Sequence, residues 1–147
     1  MEKPLKGKIA LVTGSARGIG RAIAEDLAEW GADQVILDMN QEACEKTAAE
    51  IAGKYGVRAI AVACNITKKS DVEAAFAKIQ KEYGTLHFLV NNAGVLKDNL
   101  LLRMKEEEWD MVLGVNLKGA FLMTQVMLKM LMKAEGGSRI VNISSVS

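Results

Sequence analysis

The sequence predicts an α/β protein: a doubly wound parallel sheet of about five strands, in the order 3-2-1-4-5, with helices on both faces. Short apolar runs of strand length alternate with segments of helical periodicity throughout the 147 residues. Apolar strands separated by helices are typical of a parallel sheet that is covered on both faces. Right-handed crossovers leave few topologies for such a pattern, and the doubly wound sheet is the leading one.

The first strand is predicted at 8–13, where the apolar run KIALVT has strand length. A helix is predicted at 18–30, because apolar residues recur there every three or four positions. The run QVILD at 34–38 predicts the second strand. Strand, helix and strand in this order form the first unit of a parallel sheet.

The second helix is marked by Cys44, Ala48, Ile51 and Tyr55, which share one helical face. RAIAVAC at 58–64 is predicted to be the third strand. Both cysteines therefore fall within regular elements, and their spacing fits neither a metal site nor a redox motif.

The second half of the chain continues the alternation. Ser70 or Asp71 is predicted to cap the third helix. LHFLVN at 86–91 is the fourth predicted strand, a long helix is predicted at about 105–134, and SRIVNIS at 138–144 is the fifth strand. The sheet is expected to stop after this strand, and residues 1–147 are expected to form one incomplete domain without a linker.

Composition excludes several function classes. The net charge is +1 with no basic block, so nothing in the sequence predicts a nucleic-acid partner. The longest strongly apolar run, GAFLMTQVMLKMLM, is interrupted by polar residues and is interpreted as too short to span a bilayer. The N-terminus does not resemble a signal peptide. We therefore expect a cytoplasmic protein with reduced thiols, no metal site and no membrane partner.

The predicted turn after the first strand is rich in glycine, with Gly14, Gly18 and Gly20 falling within seven residues. Such a turn points backbone N–H groups toward one spot beside the positive end of a helix dipole, where a pyrophosphate fits. In this interpretation Gly14 turns the chain off the strand, Gly18 leaves room for the phosphate, and Gly20 lets the helix pack closely on the sheet.

Asp38 follows Gly20 by 18 residues and ends the second predicted strand. An acidic residue near this separation accepts hydrogen bonds from the ribose hydroxyls of a bound dinucleotide. Its charge disfavours a 2′-phosphate, so the sequence favours NAD over NADP, although Arg17 offers a partner for that phosphate. A Walker A phosphate loop is excluded, because no Lys-Ser/Thr pair follows the glycines.

Four motifs resemble those of the short-chain dehydrogenase/reductases: TGSARGIG at 13–20, NNAG at 91–94, the asparagine of VNLKG at 115–119 and NISSVS at 142–147. The stretch 97–119 is similar, more narrowly, to 3-oxoacyl-[acyl-carrier-protein] reductases of fatty acid synthesis, and Asn65 suits that subgroup. The resemblance implies a Rossmann-type domain of an NAD(P)-dependent oxidoreductase. Its implied substrate is a small-molecule or acyl-carrier-protein-bound 3-oxoacyl compound, which is reduced to the 3-hydroxyacyl form.

The resemblance also implies roles for individual residues. Ser145 would bind the substrate carbonyl oxygen, and Asn116 would sit at a kink in the long helix and hold a proton-relay water. The alternative interpretation of the asparagines is a turn or a solvated residue, and that of the serines is a strand end. Two side-chain amides that end a buried strand are costly without partners, which argues against the turn. The residues implied to bind the cofactor are Gly14, Ser15, Ala16, Arg17, Gly18, Ile19 and Gly20 at the pyrophosphate, Asp38 at the adenosine ribose, Asn65 and Ile66 at the adenine, and Asn92, Ala93 and Gly94 beneath the adenosine.

One family motif does not occur in the sequence. In this family a Tyr-x-x-x-Lys pair follows strand five, the tyrosine acting as the acid and the lysine lowering its pKa. The residues four positions after Tyr55 and Tyr83 are Ala59 and His87. We therefore expect the 147 residues alone to bind dinucleotide weakly and to be nearly inactive as a reductase.

Three alternatives stay open from sequence. The chain is a non-catalytic fragment that binds a dinucleotide or a partner, or a reductase of another alcohol or ketone, or a methyltransferase whose glycine turn binds S-adenosylmethionine. NNAG and NISS argue against the last of these. An uncovered fifth strand and an uncovered methionine-rich helix at 105–134 are expected to drive formation of a homo-oligomer.

Overall fold

The computed structural model of the chain describes residues 2–145. These residues form one five-stranded parallel sheet in the order β3-β2-β1-β4-β5, which confirms the predicted topology. The strands are β1 Ile9–Thr13, β2 Asp33–Asp38, β3 Ala59–Ala63, β4 Phe88–Asn91 and β5 Arg139–Asn142.

Helices follow the strands as predicted, but the long helix is divided. A π-helical segment, Gly114–Lys118, separates its first part from its second, and a short 3-10 turn, Leu101–Arg103, precedes it. The α-helices are α1 Gly18–Glu29, α2 Gln41–Tyr55, α3 Lys69–Glu82, α4 Glu106–Leu113 and α5 Gly119–Lys133.

The sheet has a core on each face, because successive residues of a strand point to opposite sides. Leu11 packs in the layer beneath α3 and α5, together with Met123 and Met127 of α5. Val12 packs in the other layer beneath α1 and α2, together with Ile51 of α2. This two-sided burial explains why the strands of the sequence are continuous apolar runs rather than alternating ones.

The predicted cap of α3 is wrong. The N-cap residue is Lys68, and no side chain caps the helix. Asp71 lies in the first turn, and its Oδ2 accepts a hydrogen bond from the backbone N–H of Asn65 at 3.1 Å. Its carboxylate therefore fixes the loop that follows β3, and it also complements the helix dipole.

The apolar run in the second half lies within a longer helical run, in agreement with the helix predicted at about 105–134. The continuous helical run Glu106–Lys133 has 28 residues and is long and apolar enough to cross a membrane by length and composition alone. However, Met123, Met127, Met130 and Leu131 are buried in the core beneath the sheet. This burial is typical of a core helix in a globular fold.

β5 is an edge strand, and all four of its residues are exposed. Ile140 and Val141 keep 39% and 47% of their surface accessible. The opposite edge is partly protected, since Lys78 Nζ donates to the carbonyl of Ala61 in β3 at 2.5 Å. An exposed edge with apolar side chains invites pairing with another chain, and oligomer formation stays a prediction.

His87 connects the amino ends of β1 and β4. The ring is buried, and its Nδ1 accepts a hydrogen bond from the backbone N–H of Ile9 at 3.1 Å. Burial, and secondarily the charge of Lys8, lowers the pKa of this imidazole, and a hydrogen bond with the Glu135 backbone opposes that shift. His87 is thus a packed residue of the fold, far from the glycine turn along β1.

We expect His87 to make the fold acid-sensitive. Because its pKa is lower in the folded state, the neutral ring is favoured there, so stability is full above the unfolded pKa of about 6.5 and falls as the pH drops below it. His87→Asn keeps an acceptor near the Nδ1 position but does not titrate. Urea unfolding between pH 5 and 8 should show a slope of at most about 1.4 kcal/mol per pH unit for the wild type. An equal slope in the variant contradicts the assignment, since His87 is the chain's single histidine.

Candidate functional site: a cleft at the carboxyl edge of the sheet

A cleft of about 910 Å³ opens at the carboxyl edge of the sheet. It lies where the strand order reverses, between the loops that follow β1 and β4, which is the usual ligand position in an open α/β sheet. The lining residues that the sequence predicted are Gly14, Ala16, Arg17, Gly18, Ile19, Gly20, Asp38, Asn65, Ile66, Asn92, Ala93 and Gly94. Segments far apart in sequence are thus brought together as predicted.

The glycine turn needs its glycines for different physical reasons. Gly14 has a φ of 67° and Gly18 a φ of 61°, a backbone conformation that other residues rarely adopt. Gly20 lies in α1, where an added Cβ would overlap the carbonyl oxygen of Gly14 and lie 2.6 Å from Asn92 Nδ2. The close packing of helix on sheet that was expected at Gly20 is therefore present.

The first turn of α1 is free to bind an anion. Its N-cap residue, Arg17, makes no side-chain capping bond, and no acidic residue lies in the first turn. α2 differs, because Asn40 caps it by accepting from Ala43 N at 2.8 Å and Glu42 lies in its first turn. The amides at the start of α1 and the dipole behind them thus favour a negatively charged ligand in the cleft.

Ser15 does not line the cleft. It is fully buried, and its Oγ accepts from Leu37 N at 3.0 Å while its own N–H donates to the Leu37 carbonyl at 3.2 Å. These two bonds tie the glycine turn to β2. Ser15 was predicted as a cofactor-binding residue, and in the structure its side chain supports the turn from behind instead.

Asp38 ends β2 at the cleft. Its Oδ1 accepts from Met39 N at 2.9 Å, and its Oδ2 accepts from Ala16 N at 3.2 Å. Since each carboxylate oxygen has a second lone pair, the group can still accept hydrogen bonds from a ligand. Lys46 lines the same cleft together with Arg17, and sequence reasoning missed it.

Thr13 organises the floor of the cleft, although sequence reasoning gave it no role. Its buried Oγ1 accepts from Asn92 N at 3.0 Å and from Ala93 N at 2.8 Å. Asn92 Nδ2 in turn donates to the Thr13 carbonyl at 3.1 Å. Asn91 is also bound, through Nδ2, to Thr124 Oγ1 and to Asn142 Oδ1. The side-chain nitrogens of both asparagines are therefore partnered, whereas Asn91 Oδ1 is buried and has no hydrogen-bond partner among the described residues.

The adenine-side residues predicted from the resemblance lie on the loop after β3. Asn65 Oδ1 accepts from both the N–H and the hydroxyl of Thr67, at 3.0 and 2.6 Å. Ile66 is buried, and an added Cβ at Gly119 would overlap its side chain. α5 therefore approaches this loop closely, and the loop is rigidly placed beside the cleft.

Neither of the two predicted catalytic residues lines the cleft. Asn116 falls in the π-helical segment, where its Oδ1 accepts from Val95 N at 2.8 Å and its Nδ2 donates to the Val95 carbonyl at 3.2 Å. The kink expected in the long helix thus coincides with this residue. Ser145 is exposed and follows β5, and its role stays a prediction. Ser147, where the NISSVS motif ends, lies outside the described residues.

Cys64 lines the cleft but is poorly suited to nucleophilic chemistry. Burial, and then the charge of Asp71, raises the pKa of its thiol to about 11. Burial, together with the charge of Asp38, likewise raises the pKa of Cys44 to about 11. Both thiols are therefore protonated at neutral pH. Within residues 2–145, no three His, Cys, Asp or Glu side chains are grouped so as to hold a metal ion.

The doubly wound sheet, the glycine turn at the switch point and the uncapped helix behind it define a Rossmann-type domain. The family model for short chain dehydrogenase matches residues 8–147. The chain therefore belongs to the short-chain dehydrogenase family, whose members bind NAD(P).

Characterised relatives support a narrower likeness. The chain is 49% identical over 146 residues to a 3-oxoacyl-[acyl-carrier-protein] reductase of Aquifex aeolicus, covering 99% of this chain and 58% of the relative. It is 43% identical to the Haemophilus influenzae reductase of the same name, and the match covers 97% of this chain and 57% of that relative. It therefore spans somewhat more than half the length of these relatives.

A solved structure confirms the fold. L-sorbose reductase from Gluconobacter frateurii, complexed with NADPH and L-sorbose, superposes with a TM-score of 0.91 at 29% identity, covering 99% of this chain and 55% of the reductase. The likeness thus extends over nearly all of the chain.

Proposed function

We propose that this chain binds NAD in the cleft and forms the cofactor-binding part of a reductase of 3-oxoacyl thioesters carried by acyl carrier protein. The observation that carries the proposal is the convergence of the uncapped α1 N-terminus, the glycine turn and Asp38 on one cleft. The pyrophosphate would lie against the first turn of α1, and the ribose hydroxyls would donate to Asp38. The names of the relatives support the substrate class.

The nicotinamide, when bound, supplies a hydride for the substrate carbonyl carbon. In this proposal Ser145 donates a hydrogen bond to the carbonyl oxygen, and Asn116 positions the loop beside the nicotinamide through its two bonds to Val95. The general acid of the family is expected from a Tyr-x-x-x-Lys motif, which the 147 residues do not contain. Such an acid contributes roughly 10²–10⁴-fold to the rate.

The proposal is tested by titrating the chain with NADH and then assaying turnover of a 3-oxoacyl thioester. We expect saturable NADH binding and a rate far below that of a full-length relative measured in parallel. Failure to bind NADH contradicts the cofactor assignment. A rate comparable to that of the relative contradicts the expectation that the acid is required from outside these 147 residues.

Asp38 is expected to determine the choice of cofactor. Asp38→Asn keeps an oxygen acceptor for the turn but removes the charge that disfavours a 2′-phosphate, with Arg17 and Lys46 lining the same cleft. The preference for NADH over NADPH should fall at least about tenfold, because the ribose of NADH loses a hydrogen bond to a charged group, which contributes roughly 1.5–3 kcal/mol. Dissociation constants for both cofactors provide the measurement. Asp26→Asn, which removes a charge from the exposed side of α1, is the matched control, and an unchanged ratio in Asp38→Asn contradicts the role.

A second candidate is a reductase of another ketone or alcohol, since the superposed L-sorbose reductase has the same fold. Binding of a panel of ketones and of a 3-oxoacyl thioester to the chain in the presence of NADH separates the two. In either case we propose a cytoplasmic protein that assembles through β5 or the α4–α5 face, where Phe121 and Ile140 are exposed. Light scattering at high concentration tests the assembly.

A further inference from the structure

Thr47 of α2 is bound to the glycine turn, although it lies 31 residues further along the chain. Its Oγ1 donates to the carbonyl of Ala16 at 2.7 Å, and the residue is 2% exposed. A helical threonine can bond the carbonyl of its own preceding turn. Here the hydroxyl instead donates outside its own helix, to the turn that precedes α1.

The direction of the Thr47 hydroxyl is fixed from its other side. Arg21 Nη1 donates to Thr47 Oγ1 at 3.4 Å, and Arg21 Nη2 pairs with Glu50 at 2.6 Å. Because the guanidinium occupies an acceptor position of the oxygen, the hydroxyl proton is left to point toward Ala16. The charge pair on the surface between α1 and α2 therefore orients a buried hydrogen bond.

Ala16 is consequently held at both ends. Its N–H donates to Asp38 Oδ2, and its carbonyl accepts from Thr47. In a trans peptide the C=O and the following N–H point in opposite directions. Fixing the Ala16 carbonyl toward α2 therefore fixes the Arg17 N–H on the opposite side, and keeps a carbonyl oxygen from turning toward an anion in the cleft.

We propose that Thr47 is a positioning residue that pre-organises the pyrophosphate-binding turn of this chain. The inference rests on the proposed dinucleotide binding, and it assigns a part in phosphate recognition to Thr47, which does not itself line the cleft. Thr47 should therefore influence the affinity for ligands with a pyrophosphate, and should leave the affinity for a bare nucleoside unchanged.

The test compares dissociation constants for NADH, ADP and adenosine, obtained by amide NMR titration of the 147-residue chain. Thr47→Val is isosteric and removes only the hydroxyl function. We expect it to lower the affinities for NADH and ADP about fivefold, which is the effect of one net hydrogen bond. The affinity for adenosine should change by less than about twofold. Thr47→Ser keeps the hydroxyl and should restore the affinity for NADH and ADP. Hydrogen exchange at the Arg17 amide should be faster in the valine variant.

Ile51→Val is the matched control, because it removes one methyl from the buried face of the same helix at a residue with no bond to the turn. It should lower the affinities for NADH, ADP and adenosine equally, or leave all three unchanged. The inference is overturned if Thr47→Val lowers the affinities for ADP and adenosine equally, or if it leaves the affinity for ADP unchanged. If the valine variant does not fold, Thr47→Ala, which has a higher helix propensity, replaces it with the same expectations.

The outcomes also separate the inference from the proposed function. A wild-type chain that binds neither NADH nor ADP overturns the dinucleotide site and the inference together. A wild-type chain that binds both, with Thr47→Val binding both equally well, overturns the role of Thr47 alone and leaves the site in place.

Discussion

Replacing Gly20 with alanine is expected to cost about 3 kcal/mol of unfolding free energy and to weaken dinucleotide binding more than tenfold. The new Cβ would overlap the Gly14 carbonyl oxygen and approach Asn92 Nδ2 to 2.6 Å. The first of these atoms is backbone, so a rotamer change cannot relieve the clash. α1 must therefore move away from the sheet, and its first turn moves away from the phosphate position with it.

Urea unfolding and NADH titration provide the two measurements for Gly20→Ala. Gly53→Ala is the control, since Gly53 lies inside α2 with no heavy atom within 4 Å of an added Cβ. That control should gain about 0.5–1 kcal/mol of stability from the loss of backbone freedom in the unfolded chain. The close-packing explanation is refuted if Gly20→Ala unfolds within about 0.5 kcal/mol of the wild type.

Thr13→Val is expected to cost about 2–3 kcal/mol of unfolding free energy, because two amides lose their shared acceptor. The hydroxyl accepts from Asn92 N and Ala93 N, and neither bond can be made to a methyl group. A buried donor without a partner costs about 1–3 kcal/mol. The loop after β4 should loosen at the cleft, so that NADH affinity falls as well.

Thr13→Ser removes the methyl group and keeps the hydroxyl, so it separates the contributions of the two groups to stability. It should retain both amide bonds and lose at most about 1 kcal/mol, the value of one buried methyl group. Urea unfolding distinguishes the two variants, and amide NMR shifts at Asn92 and Ala93 report the bonds directly. If Thr13→Val and Thr13→Ser lose the same free energy of unfolding, Thr13 stabilises the fold through packing of its methyl group, and the hydrogen-bond explanation is wrong.

The strands, the helices that follow them and the sheet order were predictable because their signals are local. Apolar runs of strand length identify the strands, and connection handedness restricts the order to few choices. The glycine turn and Asp38 were predictable for a related reason. A strand, a turn and a helix adjacent in sequence are also adjacent in space, and the second strand pairs with the first.

Residues that act across the sheet left no local signal. Thr13 bonds to Asn92, 79 residues away, and Thr47 bonds to Ala16. Lys46 lines the cleft only because α2 begins beside the end of β2. Ser15 belongs to a phosphate-binding motif, yet its buried side chain serves β2. Such contacts depend on where the crossovers place distant segments, and hydrophobic periodicity contains no information about that.

The π-helical segment Gly114–Lys118 has a consequence for how the chain tolerates insertions and deletions. Each α-helical residue advances the helix by about 100°, so one additional residue in a turn rotates everything after it by that angle. The helical phase of α5 is therefore offset from that of α4 by the extra residue of the π-helical turn. Losing a single residue here would restore regular winding, yet it would swing Asn116 off Val95 or turn Met123 out of the core. An insertion or deletion in this segment is thus expected to disturb the fold more than a substitution.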